Sequence, residues 1–349
     1  MNDTHNYKVA IIGAGILGLA TAYELSKRIN GEDIIIFDQS LAGHGATRAS
    51  GGMLGAQNEF TEDTPYFKAA VQSREMYPAW VEELSAQTNI TIDIHHNGLT
   101  KIASTTHEDN LLLEQYNFLK QSDITVKITD CLEAPNAIRA IHIPKDGSVN
   151  VHQLTDALLK AIELNGVTLK EHTKVEQIDQ LTVYTEDASY DVDHITLTVG
   201  SYGKTLLKNY AMDQYDTVFG ESVLISHPTL NLDKTLFHQD GTYVVPKGNE
   251  TYLIGATSVL DDTTFNSQRV QTLLDQAVAH YPMLEGYSII EYQSGHRSKR
   301  HGDDPFYNLI PGANHISCAI GHYRNGILLA PYTGKTLSEI ILKDLEGIS

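Results

Sequence analysis

Two groups of residues have types and spacing suited to chemistry, and they stand near opposite ends of the chain. Gly13-Ala14-Gly15-Ile16-Leu17-Gly18 directly follows the apolar run Val9-Ala10-Ile11-Ile12, and Asp38 comes twenty residues after Gly18, closing a second apolar run, Ile34-Ile35-Ile36-Phe37. Glycines so spaced let a strand turn sharply into a helix and let backbone approach a pyrophosphate, which the free N–H groups of the helix start would bind. A carboxylate at the tip of the next strand can accept both ribose hydroxyls of an adenosine. Strand, turn, helix and acid agree on a dinucleotide. The pattern serves NAD and FAD alike, and a merely glycine-rich turn is the bland alternative. At the other end Arg297, Lys299 and Arg300 form the densest cationic cluster of an acidic chain, suited to a small anion. Two Gly-Lys-Thr triplets, at Gly203 and Gly334, lack the glycine that a phosphate loop needs five residues earlier; Thr198 and Leu329 stand there, which argues against ATP hydrolysis.

Two further segments narrow the choice. Gly45-Ala46-Thr47-Arg48-Ala49-Ser50-Gly51-Gly52-Met53-Leu54-Gly55-Ala56 has little bulk before Met53. Such a run lets a flat ring system approach the backbone, or else makes a flexible surface loop. Gly321-His322-Tyr323-Arg324-Asn325-Gly326-Ile327-Leu328-Leu329-Ala330-Pro331 follows the strand-like Ile316-Ser317-Cys318-Ala319-Ile320, with a helix expected over 333–345.

Together these segments resemble the glycine oxidases of thiamine biosynthesis, within the superfamily of D-amino-acid oxidase and sarcosine oxidase. Gly52-Met53-Leu54-Gly55-Ala56 and the 321–331 segment carry the likeness. It extends to Tyr243-Val244-Val245-Pro246-Lys247, to Leu253-Ile254-Gly255-Ala256-Thr257 and more loosely to Gly295-His296-Arg297 with Pro305. The chain departs from the family where Ser298 replaces a proline after the arginine, where Asp303 and Asp304 replace an Asp-Gly, and where Val218-Phe219-Gly220-Glu221 replaces a basic-Gly-Gln run. These departures bear on substrate choice more than on flavin binding.

The resemblance implies noncovalent FAD, since monomeric sarcosine oxidases attach flavin to a cysteine near the 296–299 segment and neither Cys131 nor Cys318 lies there. It implies cofactor contacts from Gly13, Gly15, Ile16, Leu17 and Gly18, from Asp38 and Gln39, and from Ala46, Thr47, Gly51, Gly52 and Met53. It adds Val175, equally readable as a core valine, and His322, Tyr323, Arg324, Asn325, Gly326, Ile327 and Leu328. The catalytic set it implies is Arg297, Tyr243 and Arg324: Arg297 and the Tyr243 hydroxyl hold a small amino acid's carboxylate while Cα–H faces flavin N5. Guanidinium suits this because it offers two parallel donors to a carboxylate; a surface ion pair with Asp303 or Asp304 is the alternative for Arg297. Hydride leaves Cα as the amine lone pair forms the imine, so no side-chain nucleophile is required. Oxygen as acceptor then gives hydrogen peroxide, and glycine would yield glyoxylate and ammonia. Reduced flavin is anionic near N1, where Arg324 and the helix after Thr333 would stabilise it. The rival activities are D-amino-acid oxidase or dehydrogenase and sarcosine oxidase. From another class come an NAD-dependent dehydrogenase and a catalytically silent flavin- or NAD-binding protein.

The elements that must position these groups point to an α/β fold: a Rossmann-like FAD-binding domain with an inserted α+β substrate domain built on an antiparallel sheet. Its expected segments are 1–85, 146–215 and 310–349 for the first, 86–145 and 216–309 for the second. Leu154, Ala157, Leu158, Ala161 and Leu164 recur at helical spacing, and a helix is expected over 19–27. Strand-like runs cover 167–169 and 195–199, while alternation over 99–102, 242–245 and 252–256 suits antiparallel strands. A chain of 349 residues is large for one core, and 41% hydrophobic with 20% charged residues is globular. The formal charge of −19 opposes nucleic acid and anionic lipid as partners. Two cysteines make no disulfide framework, which suits a reducing cytoplasm, so the sequons at Asn89 and Asn249 are chance matches. The apolar stretch 9–22 is too short to span a bilayer. His95 and His96 would face opposite ways on a strand, so no metal is expected. His296, His301 and His322 read as supporting groups, and a homo-oligomer is what the resemblance suggests.

Overall fold

Val9–Ile12 and Ile34–Phe37 are apolar at every position, and all eight residues are buried. Strands without a polar side belong inside a sheet covered on both faces. In the computed structural model, which describes residues 4–302 and 304–347, they lie within a six-stranded sheet. Its order is Thr168–Lys170, Ile34–Phe37, Val9–Ile12, His194–Leu197, Ile316–Ile320 and Phe306–Leu309. Neighbours are parallel except for Phe306–Leu309 at the edge. The C-terminal ends of the parallel strands therefore share one rim, the place where open α/β sheets bind ligands.

Helix Ile16–Ser26 starts three residues before the expected 19–27, because the positive φ of Gly13 already ends the strand and Gly15 serves as the N-cap. The larger difference is at the C-terminal helix, which was expected over 333–345 and runs Gly326–Leu345 with Pro331 inside it. Proline removes the N–H that would bond to the carbonyl four residues earlier, here Ile327. That carbonyl instead accepts the Tyr77 hydroxyl, from the distant helix Pro65–Thr88. The Gly334-Lys335-Thr336 triplet lies within this helix, where a Cβ on Gly334 would come within 2.8 Å of the Ala20 backbone. The helix expected around 154–164 spans Val151–Leu164; Leu154, Ala157, Leu158 and Ala161 are buried, but Leu164 is 54% exposed at its last position.

A second, nine-stranded sheet contains Leu99–Ala103, Tyr243–Gly248 and Thr251–Gly255. Its pairings are antiparallel with one exception: Thr235–His238 runs parallel to Leu99–Ala103. No hairpin joins those two segments, so nothing local imposes antiparallel order. Its longest pair, Tyr215–Ser226 with Ser288–Arg300, sets Val218 opposite Arg297 and Gly220 opposite Gly295. The small-residue run is no flexible loop from Gly51 onward. Gly51 and Gly52 are buried and lead into Met53–Leu54, which pairs with Gly147–Val149.

Candidate active site

At the rim, the Val9–Ile12 strand ends in Gly13, whose φ is +104° and whose Cβ, if present, would lie 2.5 Å from the Thr198 carbonyl oxygen. Gly18 packs as tightly, 2.0 Å from the Gly13 oxygen by the same measure. Gly15 differs: a Cβ there would meet only Thr47 Oγ1, at 3.5 Å, so its backbone opens into space. The Ile16 N–H donates to Thr47 Oγ1 at 3.0 Å, docking the small-residue run onto the helix start. At the tip of the neighbouring strand Ile34–Phe37 the Asp38 carboxylate accepts the N–H groups of Ala14 and Ser40, each at 2.8 Å.

These groups line a cavity of about 620 Å³ that continues to the second sheet. Of the residues nominated from sequence, Gly13, Gly15, Ile16, Leu17, Asp38, Gln39, Ala46, Thr47, Gly51, Met53 and Val175 line it, as do Tyr243, Arg297, His322, Tyr323, Arg324, Gly326 and Ile327. Gly18, Gly52, Asn325 and Leu328 do not line it. Gly18 and Gly52 hold tight backbone contacts, Asn325 Nδ2 donates to the Tyr66 hydroxyl at 2.8 Å, and Leu328 is core. Helix Gly326–Leu345 presents its first turn here, so the free N–H groups expected after Thr333 are supplied at Gly326 instead.

The second sheet delivers the polar wall. Tyr243 follows the hairpin that Asp240 ties by accepting the Thr242 N–H at 2.8 Å and pairing with His280 at 2.7 Å. The Tyr243 phenol is buried, which raises its pKa although Arg297 and Arg324 lean the other way, so it remains a donor. Arg297 Nη1 lies 3.4 Å from the Thr257 carbonyl oxygen, and the guanidinium rests where a Cβ on Gly220 would be, 2.2 Å from Nη2. Its neighbours in the cationic cluster do not line the cavity: Arg300 lies over the Phe306 ring and Lys299 over the Tyr323 ring. Asp303, offered as a partner for Arg297, lies outside the described residues. Arg324 pairs with Glu59 at 3.4 Å, and that carboxylate raises its pKa. Beneath it Lys101, whose amine burial pushes down to about 8, donates to the Asn58 carbonyl and to Gln115 Oε1.

Sequence reasoning missed the loop 198–202, although the rim rule for parallel strands would have found it. It also missed Thr257 and Ser258 on the cavity wall, and Lys247, whose Nζ donates to the Gly51 carbonyl at 2.5 Å. Glu59 left no signal at all, since its partner Arg324 is remote in the chain.

His322 Nε2 lies 3.0 Å from Thr333 Oγ1, while Nδ1 is buried with no hydrogen-bond partner among the described residues. Burial lowers its pKa from 6.5 to about 3. The native state then binds fewer protons than the unfolded chain between those values, so stability is lost as pH falls below 6.5. Urea titrations at pH 7 and pH 5 should show this group contributing a loss on the order of 1–2 kcal/mol, at up to about 1.4 kcal/mol per pH unit. His322→Gln should flatten that part of the slope; an unchanged slope would show that His322 titrates normally.

The profile of the FAD dependent oxidoreductase family matches residues 8–340. The chain belongs to that family. The likeness read from the sequence is the one found here. The glycine oxidase of Geobacillus kaustophilus is 32% identical, over 97% of this chain and 93% of that protein. Its crystal structure superposes with a TM-score of 0.92, covering 99% of this chain and 96% of that one. A bifunctional ThiO/ThiG protein of Synechocystis is 31% identical over 96% of this chain, which spans 51% of it. FAD is the cofactor, and the residues present fit it. The Asp38 carboxylate and the open backbone at Gly15 suit its adenosine and pyrophosphate, and two helix starts at Ile16 and Gly326 face one cavity. Among the described residues no helix is long and apolar enough to cross a membrane.

Proposed function

We propose that this family member oxidises glycine or a related small amino acid or secondary amine at Cα, with oxygen as acceptor. The products are an imine, hydrolysed to glyoxylate and ammonia when glycine is used, and hydrogen peroxide. The observation that carries the reading is one cavity wall that joins a guanidinium, a phenol and a backbone without bulk: Arg297, Tyr243 and Gly51. Bound FAD supplies the two-electron acceptor. Arg297 binds the substrate carboxylate through parallel N–H donors, and the Tyr243 hydroxyl donates a further hydrogen bond. Gly51 leaves room beside the Tyr243 ring, which a Cβ would approach to 3.4 Å, and Ala256 adds little bulk, so a flat ring has space against this wall. Arg324 and the start of helix Gly326–Leu345 line the same cavity, which supports a role for them in stabilising reduced flavin.

The nominated FAD contacts that line the cavity and the two-domain division stay within this reading. So does a cytoplasmic location, which the two free thiols suit. A homo-oligomer is included as well, supported by exposed Ile289, Ile290 and Tyr292 on the Ser288–Arg300 strand. Purified protein should be yellow and release its pigment on acid treatment. A peroxide assay across glycine, sarcosine and small D-amino acids should show turnover with glycine. Turnover confined to another amine would move the assignment to that substrate, and a yellow protein inert to all of them would mark a flavin-binding protein without oxidase activity.

A further inference from the structure

Glu221 is wholly buried, yet its carboxylate accepts four hydrogen bonds. Arg269 Nε and Nη2 donate at 2.9 and 3.1 Å, the Asn266 N–H at 2.6 Å and the Thr257 hydroxyl at 2.9 Å. The same two residues close a ring through backbone: the Glu221 N–H donates to Thr257 Oγ1 at 2.8 Å and the Thr257 N–H to the Glu221 carbonyl at 3.0 Å. Thr257 is thus held at three points, and its own carbonyl faces Arg297 Nη1. The residue before Glu221 is Gly220, whose missing Cβ makes the space in which that guanidinium lies. Arg269 is in turn tied to Asp262 and to the Thr264 carbonyl, anchoring the assembly to helix Ser267–His280.

We propose that Glu221, with Arg269 as its counter-charge, is a positioning residue that sets the Arg297 guanidinium through Thr257. The inference rests on the reading of Arg297 as the substrate-carboxylate clamp. The carboxylate is buried while Arg269 is partly exposed, and a network of this kind can hold a side chain in a site that requires fixed geometry. A misaligned guanidinium weakens capture of the carboxylate in ground and transition states alike, and such losses raise KM without lowering kcat.

The test uses the FAD-loaded enzyme and acetate as a non-reacting carboxylate, its binding read from the flavin absorbance. Glu221→Ala should weaken acetate about tenfold and raise the amino-acid KM equally, with kcat within about twofold and flavin affinity unchanged. Thr257→Val keeps the side chain's shape, loses the hydroxyl bridge and should weaken acetate about threefold; it decides the matter if Glu221→Ala does not fold. In an Arg297→Gln background neither change should weaken acetate further, because both act through the missing group. Wild-type acetate affinity in Thr257→Val and Glu221→Ala, or full additivity with Arg297→Gln, overturns the positioning role. Should Arg297→Gln itself bind acetate normally, the clamp reading falls first and the inference with it.

Discussion

Arg297→Gln is expected to raise the KM for the amino acid tenfold to a hundredfold while leaving the visible flavin spectrum intact. The estimate follows from losing one charge-assisted hydrogen bond of about 1.5–3 kcal/mol at about 1.4 kcal/mol per decade. Retention of the spectrum follows from position: Arg297 belongs to the second sheet, whereas the dinucleotide turn belongs to the first. Gly220→Ala should act in the same direction without touching the arginine, since its Cβ would fall 2.2 Å from Nη2 and the guanidinium would have to leave. Steady-state kinetics against the amino acid, with acetate as competitor, checks both variants. Wild-type KM and acetate inhibition in Arg297→Gln would refute the clamp.

Asp38→Ala should yield a protein that loses its colour on dialysis, with FAD affinity reduced by about a hundredfold or more. In the folded chain each carboxylate oxygen already accepts one backbone N–H, from Ala14 and from Ser40, so the group is fixed before the ribose arrives. Removing it withdraws acceptors for two ribose hydroxyls, about 3–6 kcal/mol at about 1.5–3 kcal/mol each, and leaves the two N–H groups without their partner. Asp38→Asn keeps the shape and one acceptor, and should fall between. Fluorescence titration of apoprotein with FAD gives the comparison; affinity within threefold of wild type in Asp38→Ala would remove Asp38 from the cofactor site.

Strands Val9–Ile12 and Ile34–Phe37 were legible because each is apolar throughout, a pattern that suits a sheet covered on both faces. The dinucleotide turn was legible because its glycines answer local demands, a positive φ at Gly13 and a near-contact at Gly18. The C-terminal helix was misjudged for a complementary reason. Pro331 is a local stop signal, and the group that overrides it, the Tyr77 hydroxyl on the Ile327 carbonyl, belongs to another helix. Moving the helix start to Gly326 also moved its free N–H groups to the cavity, where reasoning from 333 had misplaced them.

The amino-acid sequence by itself determined the parallel core, the nucleotide-binding turn with its acid, and the family, all carried by contiguous runs whose demands are local. Only the tertiary structure decided which member of the cluster Arg297, Lys299 and Arg300 meets the cavity, and which residues hold it there. Strand register sets that arginine against Gly220, and hydrogen bonds tie Thr257 to Glu221 and Glu59 to Arg324. The physical reason is range: backbone conformation and hydrophobic period are written in neighbouring residues, whereas a polar site is assembled from groups that become neighbours once the chain has folded.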